Sequence, residues 1–138
     1  MNTSNIKKYA PQARNDFIAA MRKQAAKYGI TADRILPAEQ KGDLLLIGDQ
    51  VFPLSVMKPR EKLIKRIQTS SFEQTIDYIA YSWFNRLCAI RYMECKGLLD
   101  HGRRVLSSAD GSAGLPQILE ECLDIDLPGL DASRVAEL

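Results

Sequence analysis

Residues Ser71 to Gly97 read SFEQTIDYIAYSWFNRLCAIRYMECKG, and this stretch decides the fold. Ile76, Ile79, Ala80, Trp83, Phe84, Leu87 and Ile90 recur at the i, i+3, i+4, i+7 spacing of one helical face, over about four turns. Ser71 with Gln74 three residues on forms a capping box, and Gly97 stands where a left-handed residue ends a helix. At about 1.5 Å per residue, roughly 25 residues make a rod of about 38 Å, as long as a small domain is wide. Trp83 and Phe84 are consecutive and point about 100° apart, so burying both requires neighbours on more than one side. The spacing predicts one long, buried, central helix around which the rest is arranged.

Working outward, Lys58 to Gln68 has helical character after Pro59, with Leu63, Ile64 and Ile67 on one side. Lys58, Arg60, Lys62, Lys65 and Arg66 put five positive charges in nine residues against one Glu, the densest basic cluster in the chain and a candidate contact for DNA phosphates. No aromatic residues interleave with it, which argues against a platform for stacking single strands. No set of Asn, Gln or Arg is aimed at base edges either, so phosphate contact is as far as the pattern goes.

Towards the N-terminus, Leu44 to Ile47, the loop Gly48-Asp49-Gln50, then Val51 and Phe52 read as a small β-hairpin, with Pro53 confining its second strand to an edge. Thr31 to Leu36 reads as a short helical turn capped by Thr31 and closed by Pro37. An earlier helix is expected from Ala10 or Pro11 to Tyr28, ended by Gly29. Phe17, Ile18, Met21, Ala25 and Tyr28 form its apolar face, and Arg14, Arg22, Lys23 and Lys27 a solvated one.

Beyond the central helix, Leu98 to Gly114 is loop-rich, with a brief strand expected at Val105 to Ser107. Leu115 to Leu123 reads as a helix with Pro116 near its first turn, and Asp131 to Leu138 as a helix start cut short after two turns. The fold class expected is mainly α: one helical domain over residues 1–138, around one long central helix, with one small β-hairpin.

The chain has 138 residues, 46% hydrophobic and 26% charged, enough for one ordinary globular domain. Its net charge of +2 hides an asymmetry: residues 1–68 carry 13 Lys/Arg against 6 Asp/Glu, and residues 69–138 carry 6 against 11. The basic and acidic halves either match each other or face different partners. Three cysteines at no zinc-like spacing, a polar N-terminus and no long apolar run predict a soluble cytoplasmic chain without a membrane segment.

Catalytic chemistry is scarce. His101 is the only histidine and has no nucleophile beside it in sequence. Cys88 and Cys95 lie two helical turns apart, about 10 Å, too far to share a metal easily, and read with Cys122 as buried small hydrophobes. The triplets Glu39-Gln40-Lys41 and Glu94-Cys95-Lys96 resemble part of a metal-dependent nuclease site, but neither is expected on a strand with an acidic partner. No glycine-rich phosphate loop or nucleophile elbow occurs, so no catalytic, cofactor-binding or metal residue is assigned. Arg86 and Arg91 interrupt the central helix's apolar face and are expected to pack in pairs, Arg91 with Glu94 at i+3 or either with Asp77.

Trp83-Phe84-Asn85-Arg86-Leu87, followed by Ala89-Ile90-Arg91-Tyr92-Met93-Glu94 and Gly97-Leu98, resembles the N-terminal region of the adenine-specific DNA methyltransferases of BREX phage-defence systems. The opening from Met1 to Pro11 and the helix around Phe17 share that resemblance, which spans essentially the whole chain and extends to type IIG restriction-modification methyltransferases. It implies a parent enzyme that uses S-adenosylmethionine to methylate adenine N6 on one strand of a non-palindromic site in double-stranded DNA. The family's cofactor-binding glycine motif and its Asn-Pro-Pro-Tyr motif appear nowhere in these 138 residues, so both are expected downstream. No cofactor is therefore expected here. The resemblance further implies a supporting domain that contacts DNA phosphates or other BREX proteins. The alternative is a pure interaction module that docks partner proteins or a phage-encoded inhibitor without touching DNA.

Overall fold

The computed structural model describes residues 4–124, 128, 129 and 131. The chain is mainly helical with a small antiparallel sheet, as expected, and divides into two compact units, Met1–Phe84 and Asn85–Leu138, the division falling inside the long helix.

In the first unit, helix α1 spans Ser4–Lys27. It begins earlier than expected and carries Pro11 in its interior. A proline there removes the amide that would bond the Lys7 carbonyl, but Lys7 and Lys8 are exposed, so water can satisfy that oxygen. At the other end Gly29 donates to Ala26 and Ile30 to Ala25, the paired bonds of a Schellman cap. Gly29 has φ +71°, and a Cβ there would lie 2.6 Å from Ile47 Cγ2, so both conformation and packing demand glycine.

The sheet has three strands rather than two: β1 Ala38–Lys41, β2 Leu44–Ile47 and β3 Gln50–Pro53, in that order and antiparallel. Lys41 pairs with Leu44 and Ile47 with Gln50, leaving two-residue turns at Gly42-Asp43 and Gly48-Asp49. In each turn the glycine has positive φ and the aspartate does not, the arrangement that suits right-twisted hairpins. Thr31 to Leu36 is not helical. Thr31 Oγ1 donates to the Arg34 carbonyl at 3.0 Å, and Ile30 forms an isolated antiparallel bridge to Ile35.

A single 3₁₀ turn, Leu54–Val56, leads into α2, Met57–Thr69. The chain then reverses at Ser70 and Ser71 into α3, Phe72–Lys96. Ser71 Oγ accepts the Gln74 amide at 3.2 Å, the first half of the expected capping box. Two apolar clusters hold the unit. Ala25, Ile30 and Ile76 are buried with Ile18, Met21, Leu63, Ile64, Ile67 and Phe72 against them, and Leu45, Ile47 and Phe52 with Tyr28, Leu36, Val56 and Met57.

The expectation that α3 buries its whole apolar face is corrected. Ile76 and Ala80 are buried, Ile79 and Phe84 half-buried, and Trp83 remains 45% exposed. Within this unit α1 and α2 flank the helix, and Trp83 stands at the rim of the cleft between them.

The second unit holds the end of α3, a long irregular stretch and the short helix α4, Gln117–Glu120. Gly97 has φ +64° and closes α3 with a second Schellman cap, Leu98 donating to Met93 at 2.9 Å. Val105 to Ser107 is not a strand, because the Val105 and Leu106 amides both donate to Glu94 Oε2, each at 2.8 Å, rather than to another strand. The helix expected over Leu115 to Leu123 is one turn only. Apart from Asp131, that expected over Asp131 to Leu138 lies outside the described residues.

Candidate nucleic-acid interface

On α2 the helical period separates charge from packing. Lys58, Lys62 and Lys65 share one face at i, i+4, i+7 and, with Arg66 beside them, are exposed. Leu63, Ile64 and Ile67 take the opposite face into the apolar cluster.

Arg60, the fifth member of the sequence cluster, leaves it. It is buried, at 8% exposure; its Nε donates to the Tyr28 carbonyl at 2.9 Å and its Nη2 to the Leu36 carbonyl. Tyr28 directly follows α1, where helix carbonyls lack intrahelical partners, so the guanidinium caps that end and ties the 28–36 connection to α2. Burial lowers the Arg60 pKa below the ordinary guanidinium value. The surface row is therefore Lys58, Lys62, Lys65 and Arg66.

Sequence reading missed Tyr78, which lies twelve residues from Arg66 along the chain. The reversal at Ser70 brings the two together, with the Arg66 guanidinium carbon 3.9 Å from the centre of the Tyr78 ring. The signal was the pair of adjacent helices flanking Ser70-Ser71, which brings residues on either side of the turn together.

Two arginines of α1 are engaged at the surface. Arg14 bonds Asp77 at 2.8 Å and Arg22 bonds Glu73, both pairs exposed and joining α1 to α3. A mostly apolar cleft of about 390 Å³ opens beside Met21, Tyr28, Val56, Leu63, Ile79 and Trp83.

In the second unit the Arg91–Glu94 pair expected at i+3 is present, and Glu94 does more than pair. Its buried carboxylate accepts from Arg91, from Ser107 Oγ at 2.8 Å and from the Val105 and Leu106 amides. Burial pushes its pKa up, but the Leu106 amide, Arg91, Ser107 and the Val105 amide outweigh it and hold the group at about 2. Arg91 keeps a part-exposed side chain and also donates to Ser107 Oγ at 2.9 Å. Arg86 is exposed rather than packed into a core.

His101 is half-buried, its Nδ1 accepting the Arg103 amide at 3.2 Å. Cys122 is buried as expected, whereas Cys88 and Cys95 are exposed. Glu39-Gln40-Lys41 does lie on a strand, β1, contrary to expectation. Among the described residues, no three His, Cys, Asp or Glu are grouped to hold a metal, and no helix is long and apolar enough to cross a membrane.

No family model matches the chain. It is 52% identical over 112 residues to the adenine-specific methyltransferase BrxX of Escherichia coli O9:H4 (strain HS), an alignment covering 78% of this chain and 9% of that protein. It is 30% identical over 138 residues to the adenine-specific methyltransferase PglX of Lacticaseibacillus casei (strain Zhang), covering 91% of this chain and 11% of that protein. The chain thus spans about a tenth of the length of these two relatives.

Proposed function

We propose, from the premise that this chain belongs to the BREX adenine-specific methyltransferase family and matches a short N-terminal region of such proteins, that it is a non-catalytic support whose α2 contacts DNA phosphates. The whole enzyme transfers a methyl group from S-adenosylmethionine to adenine N6 in double-stranded DNA, and this region helps hold the duplex for a catalytic core formed by other residues. One observation carries the reading. Four exposed cations, Lys58, Lys62, Lys65 and Arg66, line one side of a helix whose other side is anchored in the unit's core, so they form a fixed row rather than a floppy tail. A rigid row of cations gains from counterion release without ordering a loop first.

The test is a salt titration of duplex binding by the 138-residue chain, with and without charge reversal at Lys62, Lys65 and Arg66. Wild-type affinity should fall steeply with salt, and the triple variant should bind more weakly with a shallower slope, by roughly 0.9 for each phosphate no longer neutralised. Absence of low-salt binding would sink the reading.

A second reading is favoured by the apolar cleft with Trp83 at its rim: a module that docks another protein of the defence system, or a phage-encoded inhibitor. It predicts that Trp83→Ala abolishes partner capture and leaves DNA binding intact.

A further inference from the structure

The exposed side of α3 next to Arg66 carries aromatic rings that phosphate contact alone does not use. On α3, Gln74, Tyr78 and Tyr81 follow one another at i, i+4, i+7 on one side of the helix, and all three are exposed, Tyr78 at 53% and Tyr81 at 67%. The acidic neighbours on that helix, Glu73 and Asp77, are each paired with an arginine of α1, so the side is not left negative. Arg66 joins this face to the cationic row, its guanidinium carbon 3.9 Å from the centre of the Tyr78 ring while the residue as a whole stays exposed. Nucleobases stack on guanidinium planes as they do on aromatic rings.

A duplex cannot use these ring faces, because its bases are already stacked on one another. An unpaired strand can, since it offers a negative backbone and bare ring faces together. We propose that Gln74, Tyr78 and Tyr81 with the Lys58–Arg66 row form a binding surface for single-stranded DNA. Phosphates lie along Lys58, Lys62 and Lys65, while bases stack on Arg66–Tyr78 and on Tyr81. The proposal rests on the phosphate-contacting role of α2 and adds the form of DNA that the surface prefers. It also reverses what the local sequence suggested: an aromatic ring does stand beside the basic cluster, supplied by the next helix.

The test compares fluorescence anisotropy of a labelled single strand of about twelve nucleotides with that of its duplex, at matched salt, on the 138-residue chain. The single strand should bind more tightly. Tyr81→Ala should weaken single-strand binding about tenfold, leave its salt slope unchanged and leave duplex binding alone, while Tyr81→Phe keeps the affinity. Tyr78→Ala should likewise weaken single-strand binding, and Tyr81, two-thirds exposed, gives a variant that should keep the fold, which circular dichroism checks. Equal affinity for the two forms, or Tyr81→Ala binding single strands like wild type, overturns base stacking and leaves phosphate contact standing. Absence of salt-dependent binding to either form removes phosphate contact and the stacking surface together.

Discussion

The two units of this chain are held by different forces. Residues Met1–Phe84 bury aliphatic and aromatic side chains, Ile30, Leu45, Ile47, Phe52 and Ile76, in two clusters, and the ion pairs Arg14–Asp77 and Arg22–Glu73 lie at the surface. In Asn85–Leu138 the buried residues described are Glu94, Ser107 and Cys122, and a carboxylate organises the irregular chain by accepting four hydrogen bonds. Apolar burial is non-directional and insensitive to pH, whereas a buried carboxylate holds only while it is ionised and every donor stays in place. Short chain segments without regular structure can be ordered either way, but the second way titrates.

The sharpest way to probe the contrast is to empty the first core. Ile76→Ala, at a site 1% exposed, should cost about 3 kcal/mol, read by the fluorescence of Trp83, the only tryptophan and a reporter within that unit. Equal loss of hydrogen-exchange protection at Val105 and Leu106 would show that the two units unfold together and break the contrast. Glu94→Gln should cost the second unit roughly 3 kcal/mol, because an amide cannot accept all four bonds, and should appear first as lost protection of those same amides.

The same carboxylate sets a pH window. Its folded pKa of about 2 lies below the ordinary 4.5, so its contribution is whole above about 4.5 and is lost as pH falls from there towards 2. Wild type should lose amide protection at Val105 and Leu106 in that window, and Glu94→Gln should show no such step.

Arg60→Met, which keeps the aliphatic stem and strips the donors from Tyr28 and Leu36, should cost about 2 kcal/mol in denaturant titrations. At the small end, Arg14→Ala breaks an exposed pair with Asp77 and should change stability by less than about 0.5 kcal/mol; a larger loss would mean that surface charge also supports the first unit.

Much of the fold was legible. The apolar spacing of α3, its Ser71 start and Gly97 stop, and the leucine-rich β2 all appear where pattern places them. Strand β1 was not legible, because Ala38, Glu39, Gln40 and Lys41 are poor strand formers and all exposed, so neither propensity nor alternation marks them. A signal did exist: Gly42-Asp43 repeats the Gly48-Asp49 turn six residues earlier. The basic cluster was legible as charge but not as surface. Arg60 looks like its neighbours in sequence, and only the proximity of the Tyr28 and Leu36 carbonyls, 32 and 24 residues away, turns it inward.

Sequence alone therefore determined the long helix, its caps, the central hairpin and the family resemblance, since these depend on periodicity and on short strings of residues. Tertiary structure alone decided which cations face solvent, which ring lies under Arg66, and what the glutamate at the end of α3 holds. Those outcomes depend on contacts between residues far apart in the chain. Ser71 to Gly97 shows both sides: its spacing announced a helix, but only packing decided that Ile76 is core while Tyr78, Tyr81 and Trp83 stay exposed.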